Sequence, residues 1–383
     1  MPKKNRIVLS GYYGFRNAGD EAILTAMLNS WEKLLPDTEF VVLSGDPHYT
    51  SVNYGVKSVH RFNFLGIIKA IFACDMFISG GGSLLQDVTS KKSLLYYLSL
   101  IWLAKLFGKP TMLYAQGIGP INSGFLKKLT GYVLQKVDCI AVRDEESQQF
   151  LHSLGIAEEK IKLTADVVFL LPETSLEDGK ILIERLGIGR ENPIVGVAIR
   201  TWDNDAYFGA LVDALDNLAD RGKQILLIPF QYPVDMSSAK KLQRALRHPA
   251  KILDKECDTQ EMLSVIGNLE TVVGMRLHSL IFAATMGVPF VALEYDPKVS
   301  GFVERVGGSS AGSVDKLTTD KILQAYEKSG TVRVELSRYR ELANENNKLL
   351  RNKRQDDAGA AGRRQSGQIL TNIRYIKSGI NKI

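Results

Sequence analysis

The chain has 383 residues, 45% hydrophobic and 23% charged, the composition of a globular protein long enough for two domains rather than one. Its formal net charge of +6 equals the excess in residues 340–383 alone, which carry ten Lys or Arg against four Asp or Glu. A near-neutral body with a basic end argues against general nucleic-acid binding across the fold and suits contact with an anionic membrane surface, or simple solubility. Cys74, Cys139 and Cys257 are scattered and the five histidines do not cluster, so no metal site is expected and the thiols are read as reduced. The polar start runs directly into a strand without an apolar signal core, so export is not expected.

Residues 6–14 read as a first strand ending in glycine, followed by a helix over 22–35. Asp20 is the expected N-cap of that helix, with Glu21 in its first turn. The spacing of Gly11, Gly14 and Gly19 is not the dinucleotide fingerprint, so no NAD is inferred. Strands are expected at 40–44, 56–62 and 76–79, with a short helix at 65–73. Gly80, Gly81, Gly82 and Ser83 then allow close backbone approach, either to a phosphate or sugar or to a neighbouring strand. The apolar segment 93–107 is too short to cross a bilayer, which takes about 20 residues. It is expected to be a helix buried on the sheet, with a membrane-resting helix as the alternative. Strands at 111–115, 139–142 and 162–166 and helices ending near 137 and spanning 145–154 complete this half.

Residues 172–193 have the flavour of a linker, with a helix near 176–186. A second alternating run follows, with strands at 194–199, 224–229, 251–253, 271–274 and 290–293. Helices at 207–221, 236–247, 260–267 and 278–286 separate them. The pattern predicts an α/β protein with two Rossmann-like domains facing a cleft. The expected divisions are 1–175, 190–308, helices over 309–350 and a flexible basic tail over 351–383.

The most informative stretch is the strand Thr271-Val272-Val273-Gly274 and the helix that starts near Arg276. Backbone N–H groups at a helix start favour an anion, and Arg276 and His278 add a fixed and a titratable cation. A carboxyl-edge strand end is also where open α/β sheets bind ligands. The competing reading is that Arg276 pairs with a local acid and His278 is an ordinary residue of the helix start. Arg200, Gln231 and Tyr232, and Glu294, Asp296 and Lys298 end three further strands, so polar groups converge on one sheet edge.

Tyr12 to Leu24, Gly80 to Asp87, Gln116-Gly117-Ile118-Gly119-Pro120, Arg143-Asp144 and Arg276-Leu277-His278, in this order, resemble polysaccharide pyruvyl transferases. The likeness covers roughly the first 305 residues and is nearest to CsaB-type cell-wall polymer enzymes of Gram-positive bacteria. The resemblance implies a GT-B-like fold and transfer of a pyruvyl group from phosphoenolpyruvate to a sugar as a 4,6-ketal. The implied acceptor is N-acetylmannosamine of a lipid-diphosphate-linked secondary cell-wall polymer precursor, of the kind that anchors S-layer proteins. Such an enzyme needs no cofactor and no metal, and works in the cytoplasm at the inner face of the membrane.

A donor with a phosphate and a carboxylate needs several cations, for which Arg276, Arg200 and Lys298 are the candidates, with Ser279 beside them. His278 is the expected general acid, since histidine is the side chain that ordinarily titrates near neutrality. Asn17, Asp20 and Ser83 are assigned to the acceptor, with Asp20 as a base if it is not simply a cap. Two other functions share these features: a glycosyltransferase using a nucleotide sugar, with Glu294 and Asp296 on the ribose, and a non-catalytic membrane-associated scaffold.

Overall fold

The computed structural model of the chain describes residues 5–189, 191–202, 206–331 and 334–361. The chain divides into two compact units, and the division is not linear. One unit contains residues 1–15, 26–167 and 341–383, and the other contains 16–25 and 168–340.

The first unit is built on eight parallel strands: β1 (Asn5–Tyr13), β2 (Thr38–Ser44), β3 (Lys57–His60), β4 (Met76–Ser79), β5 (Gly82–Leu85), β6 (Thr111–Ile118), β7 (Cys139–Val142) and β8 (Ile161–Leu163). Their order is β3-β2-β1-β4-β6-β7-β8, with β5 paired to β6. β4 and β6 are buried throughout, as strands covered on both faces must be. Gly80 is dictated by packing: a Cβ there would fall 2.1 Å from the Tyr13 hydroxyl. Of the two readings of the glycine run, close packing therefore applies at this position.

The apolar helix Lys91–Leu106 is capped by Ser90, whose hydroxyl accepts from Ser93 N–H. It buries Leu94, Tyr97, Leu98, Ile101 and Ala104 in the core with Val8, Phe77 and Leu113. Each such leucine contributes roughly 1.5–3 kcal/mol, so this face of the helix is a core element, as expected, while Leu95 on its other side stays 42% exposed. The last helix, Leu336–Ala361, does not stop at residue 350 as expected, and from Glu341 onward it belongs to the first unit. There Asn347 accepts from Tyr114 and Trp31, and Asn346 donates to the Ala165 carbonyl. Residues 362–383, the rest of the expected basic tail, lie outside the described residues.

The second unit has six parallel strands: β9 (Ile194–Ala198), β10 (Gln224–Leu227), β11 (Ala250–Ile252), β12 (Thr271–Gly274), β13 (Phe290–Glu294) and β14 (Ser309–Ser313). Their order is β11-β10-β9-β12-β13-β14. Val197, Leu227, Val273 and Val291 meet Leu211 and Leu215 of the helix Ala206–Asp220 in its core. The chain runs outward from β9 through β10 and β11, then resumes on the other side of β9 with β12. The gap between β9 and β12 is thus the topological switch point, where ligands of open α/β sheets bind.

Among the described residues two helices and two strands were not expected, one of the strands being β5, which starts at the last glycine of the run. Pro47–Tyr54 is short and polar, and begins at an Asp46 cap. Pro297–Val306 is capped by Asp296, which accepts from Lys298 N–H. β14 is an edge strand of small residues, which no apolar run announces.

Candidate functional site

The register of β9 and β12 sets Gly274 level with Ala198, and Met275 N–H donates to the Ala198 carbonyl over 2.9 Å. Arg200 and Arg276 each follow two residues later, so the two cations leave adjacent strand ends at the same level, at the switch point.

Arg276 is not a free clamp. Its Nε and one terminal nitrogen donate to the two oxygens of Asp235, over 3.1 and 2.5 Å, and Gln231 Oε1 lies 3.4 Å from the same terminal nitrogen. Asp235 is buried, and also accepts from Gln231 N–H over 2.9 Å. A bidentate guanidinium–carboxylate pair fixes the guanidinium plane while leaving its other terminal nitrogen available for an anion. The local-acid reading of Arg276 is therefore the one observed, and Asp235, which sequence analysis missed, is that acid. Its signal was hidden, because an aspartate just before a helix reads as a cap; here its side chain makes no cap bond.

His278 lies in the first turn of the helix Leu277–Thr285, with Nε2 out of contact with solvent. Its ring is pressed against Gly19: a Cβ on residue 19 would fall 2.1 Å from Nδ1 and 2.2 Å from Cγ. Ser279 is turned inward. Its hydroxyl donates to the Arg276 carbonyl over 2.6 Å and packs where a Cβ on Gly274 would stand, so it shapes the turn instead of facing a ligand.

Asn17 and Asp20, assigned from sequence to the first domain, belong to the second unit. Residues 16–18 pair antiparallel with 230–232: Ala18 N–H donates to the Phe230 carbonyl, and Tyr232 N–H to that of Arg16. Arg16 has a left-handed φ of 54°, which costs a non-glycine residue about 1 kcal/mol, and its guanidinium bridges Glu256 at 3.1 Å. Asn17, not Asp20, caps the helix Ala18–Leu34: its Oδ1 accepts from Gly19 N–H over 3.1 Å, while Asp20 lies within the first turn.

Arg200 stands over the rings of Tyr295 and Trp202 and donates to the Tyr295 hydroxyl at 3.4 Å. Its Nε is buried without a hydrogen-bond partner among the described residues. Tyr295 and Trp202, in edge contact with each other, were not singled out from sequence. Glu294 accepts from Ser300 and Ser310, which ties it to its own strand end. Ser83 lies in the first unit, where its hydroxyl accepts from Arg143 over 3.0 Å. Arg143 is buried with Asp166, to which it donates over 2.6 Å. An open groove along edge strand β3, lined by Arg6, Lys57 and Lys69, holds none of these residues. Among the described residues no group of three or more His, Cys, Asp or Glu could hold a metal ion.

Residues 17–297 match the sequence model of the polysaccharide pyruvyl transferase family. The chain is 22% identical over 254 residues to the amylovoran biosynthesis protein AmsJ of Erwinia amylovora, a match covering 61% of this chain and 60% of that protein. The chain therefore spans about three-fifths of the length of this curated relative. Among solved structures, the UDP-GlcNAc 2-epimerase of Methanocaldococcus jannaschii superimposes with a TM-score of 0.65 at 12% identity, covering 91% of this chain and 99% of that one. HepE of Anabaena, solved with UDP-glucose, gives a TM-score of 0.60 at 14% identity, covering 94% and 100%. At such identities the likeness concerns the fold alone, which is that of two Rossmann-like units as in GT-B enzymes.

Proposed function

The chain belongs to the polysaccharide pyruvyl transferase family, and from that premise we propose that it transfers a pyruvyl group from phosphoenolpyruvate to a sugar of a polysaccharide precursor. The observation that carries the reading is the pair of arginines at one level of the switch point, Arg200 and Arg276, with His278 in the turn that follows Arg276. Two cations held apart by rigid strand ends suit a compact donor with an anionic group at each end. Lys298, in the first turn of Pro297–Val306, is the third candidate for the donor.

In the proposed reaction His278 delivers a proton to the methylene carbon, and C2 of the donor becomes oxocarbenium-like. A sugar hydroxyl attacks C2, forming a C–O bond and giving up its proton. The bond from C2 to the phosphate oxygen then breaks, and a second hydroxyl closes the 4,6-ketal as phosphate departs with the remaining proton. Asn17 and Asp20 lie in the loop and helix start against His278, which supports a role beside the donor. Asp20 is the candidate base there. Ser83, in the other unit, remains a candidate for the acceptor. The preferred acceptor is an N-acetylmannosamine of a lipid-diphosphate-linked precursor of a secondary cell-wall polymer, as in CsaB-type enzymes whose products anchor S-layer proteins. It would be met in the cytoplasm at the inner face of the membrane.

The test is incubation of the protein with phosphoenolpyruvate and a synthetic lipid-linked disaccharide. The expected result is a pyruvylated product by mass spectrometry with equimolar phosphate release. No product, together with release of nucleotide from a UDP-sugar, would replace this reading with glycosyl transfer.

A further inference from the structure

The helix Phe64–Ala73 is apolar except for a single charge, Lys69. Ile67 and Ile71 point inward and are buried. Phe64, Leu65, Ile68 and Phe72 are 67%, 72%, 42% and 63% exposed. Positions 64, 68 and 72 are spaced by four, so they form one line down the helix, with residue 65 alongside. A helix so rich in apolar residues is normally covered on more than one side, and the described residues cover only the side of Ile67 and Ile71. Phe62 and Leu95 extend the exposed area. Ring contacts tie it to the helix Lys91–Leu106: Phe62 meets Tyr96 at 6.3 Å, and Phe72 meets Phe107 at 5.5 Å.

The rim is cationic and unmatched. Arg61 stands 4.6 Å over the Tyr96 ring, and Lys109 stands 5.8 Å from that of Phe72. Among the described residues Arg61, Lys69, Lys91 and Lys92 have no carboxylate partner. The only acidic residues between positions 56 and 110 are Asp75 and Asp87. Asp75 accepts from Arg6 N–H, and Asp87 is buried under the backbone of Asn122 and Ser123.

We propose that the helix Phe64–Ala73, with Phe62 and Leu95, docks on a bilayer surface bearing anionic headgroups. The apolar line enters the headgroup–acyl boundary, while Arg61, Lys69, Lys91 and Lys92 meet the phosphates. The contact is interfacial, since among the described residues no helix is long and apolar enough to cross a membrane. A second copy of the chain fits less well. A self-complementary contact across a two-fold axis would bring this unmatched cationic rim against itself. The inference concerns where the protein works and stands apart from what it transfers.

The test is sedimentation of the full chain with vesicles of phosphatidylcholine alone and of phosphatidylcholine mixed with phosphatidylglycerol. Binding to the mixed vesicles is expected. It should fall roughly tenfold or more in Phe64→Glu/Leu65→Glu/Phe72→Glu, and likewise in Lys69→Glu/Lys91→Glu/Lys92→Glu. The lysine variant keeps the test valid if the apolar one fails to fold by circular dichroism. Absence of binding by the native chain, or equal binding by the folded variants, overturns the proposal. So does loss of all binding on removal of residues 362–383 while the variants still bind. A dimer in solution that these variants dissociate, without vesicle binding, would assign the face to a second copy instead.

Discussion

Gly19 and His278 are packed so closely that residue 19 has no room for a side chain: its Cβ would fall 2.1 Å from Nδ1 of the imidazole. The atoms in the way include Cγ and Cβ of His278, near the backbone, so the ring cannot swing aside cheaply. Gly19→Ala is expected to move the imidazole by about an ångström and to lower kcat/KM roughly a hundredfold. The fold should persist, because the helix cap at Asn17 is untouched. Steady-state kinetics with a circular dichroism control checks this; near-native turnover would remove His278 from the reaction.

Asp235 and Arg276 form a pair in which the acid is buried. Removing one partner leaves the other uncompensated, at a cost of about 3 kcal/mol. For a unit of this size that lowers Tm by roughly 6–12 °C. Asp235→Asn should show the loss in thermal unfolding and should also weaken phosphoenolpyruvate binding in calorimetry, because the guanidinium loses its fixed plane. A stability loss with unchanged donor affinity would make the pair purely structural.

Asp216, on the helix Ala206–Asp220, is buried and accepts from Arg247 N–H at 3.0 Å, His248 N–H at 3.2 Å and Arg247 Nε at 3.2 Å. Burial would raise its pKa, but these donors outweigh that and hold it below the ordinary value. A folded-state value below the unfolded one gives stability that is present above about pH 4 and is lost as pH falls through the folded value. Asp216→Asn should cost about 2 kcal/mol at neutral pH. Urea unfolding at descending pH should bring native and variant proteins together; a constant gap would refute the assignment.

The Cys257 thiol is pushed up to about 12, first by burial and then by the Glu261 carboxylate, and burial pushes Cys74 up to about 11. At pH 8 the Cys257 thiolate fraction is on the order of one in ten thousand. Iodoacetamide should label both residues far more slowly in the native protein than in urea, as read by mass spectrometry. Rapid native labelling of Cys257 would mean that its surroundings are open.

Most strands of both sheets were legible because parallel strands covered on two faces must be apolar runs, as Met76-Phe77-Ile78-Ser79 and Thr271-Val272-Val273-Gly274 are. The strand ends carrying Arg200 and Arg276 followed directly from those runs. What was hidden depended on pairing across the chain. The partner of Arg276 lies 41 residues away at the start of another helix. Asn17 and Asp20 sit beside a strand end rather than in the domain that precedes and follows them in sequence, because backbone pairing with residues 230–232 draws them there. β14, Ser309-Ser310-Ala311-Gly312-Ser313, was missed because an edge strand can be made of small residues without an apolar core face.

The exchange of segments between the units, with residues 16–25 in one and 341–361 in the other, limits how this chain can be taken apart. A cut after residue 167 would give a first fragment without the asparagines that serve Tyr114 and Thr164, and a second without the backbone partner of Phe230. Neither piece would be self-sufficient. Chimeras made by joining halves of two relatives at that point would inherit mismatched parts, unless the crossover carries both short segments with the halves they serve.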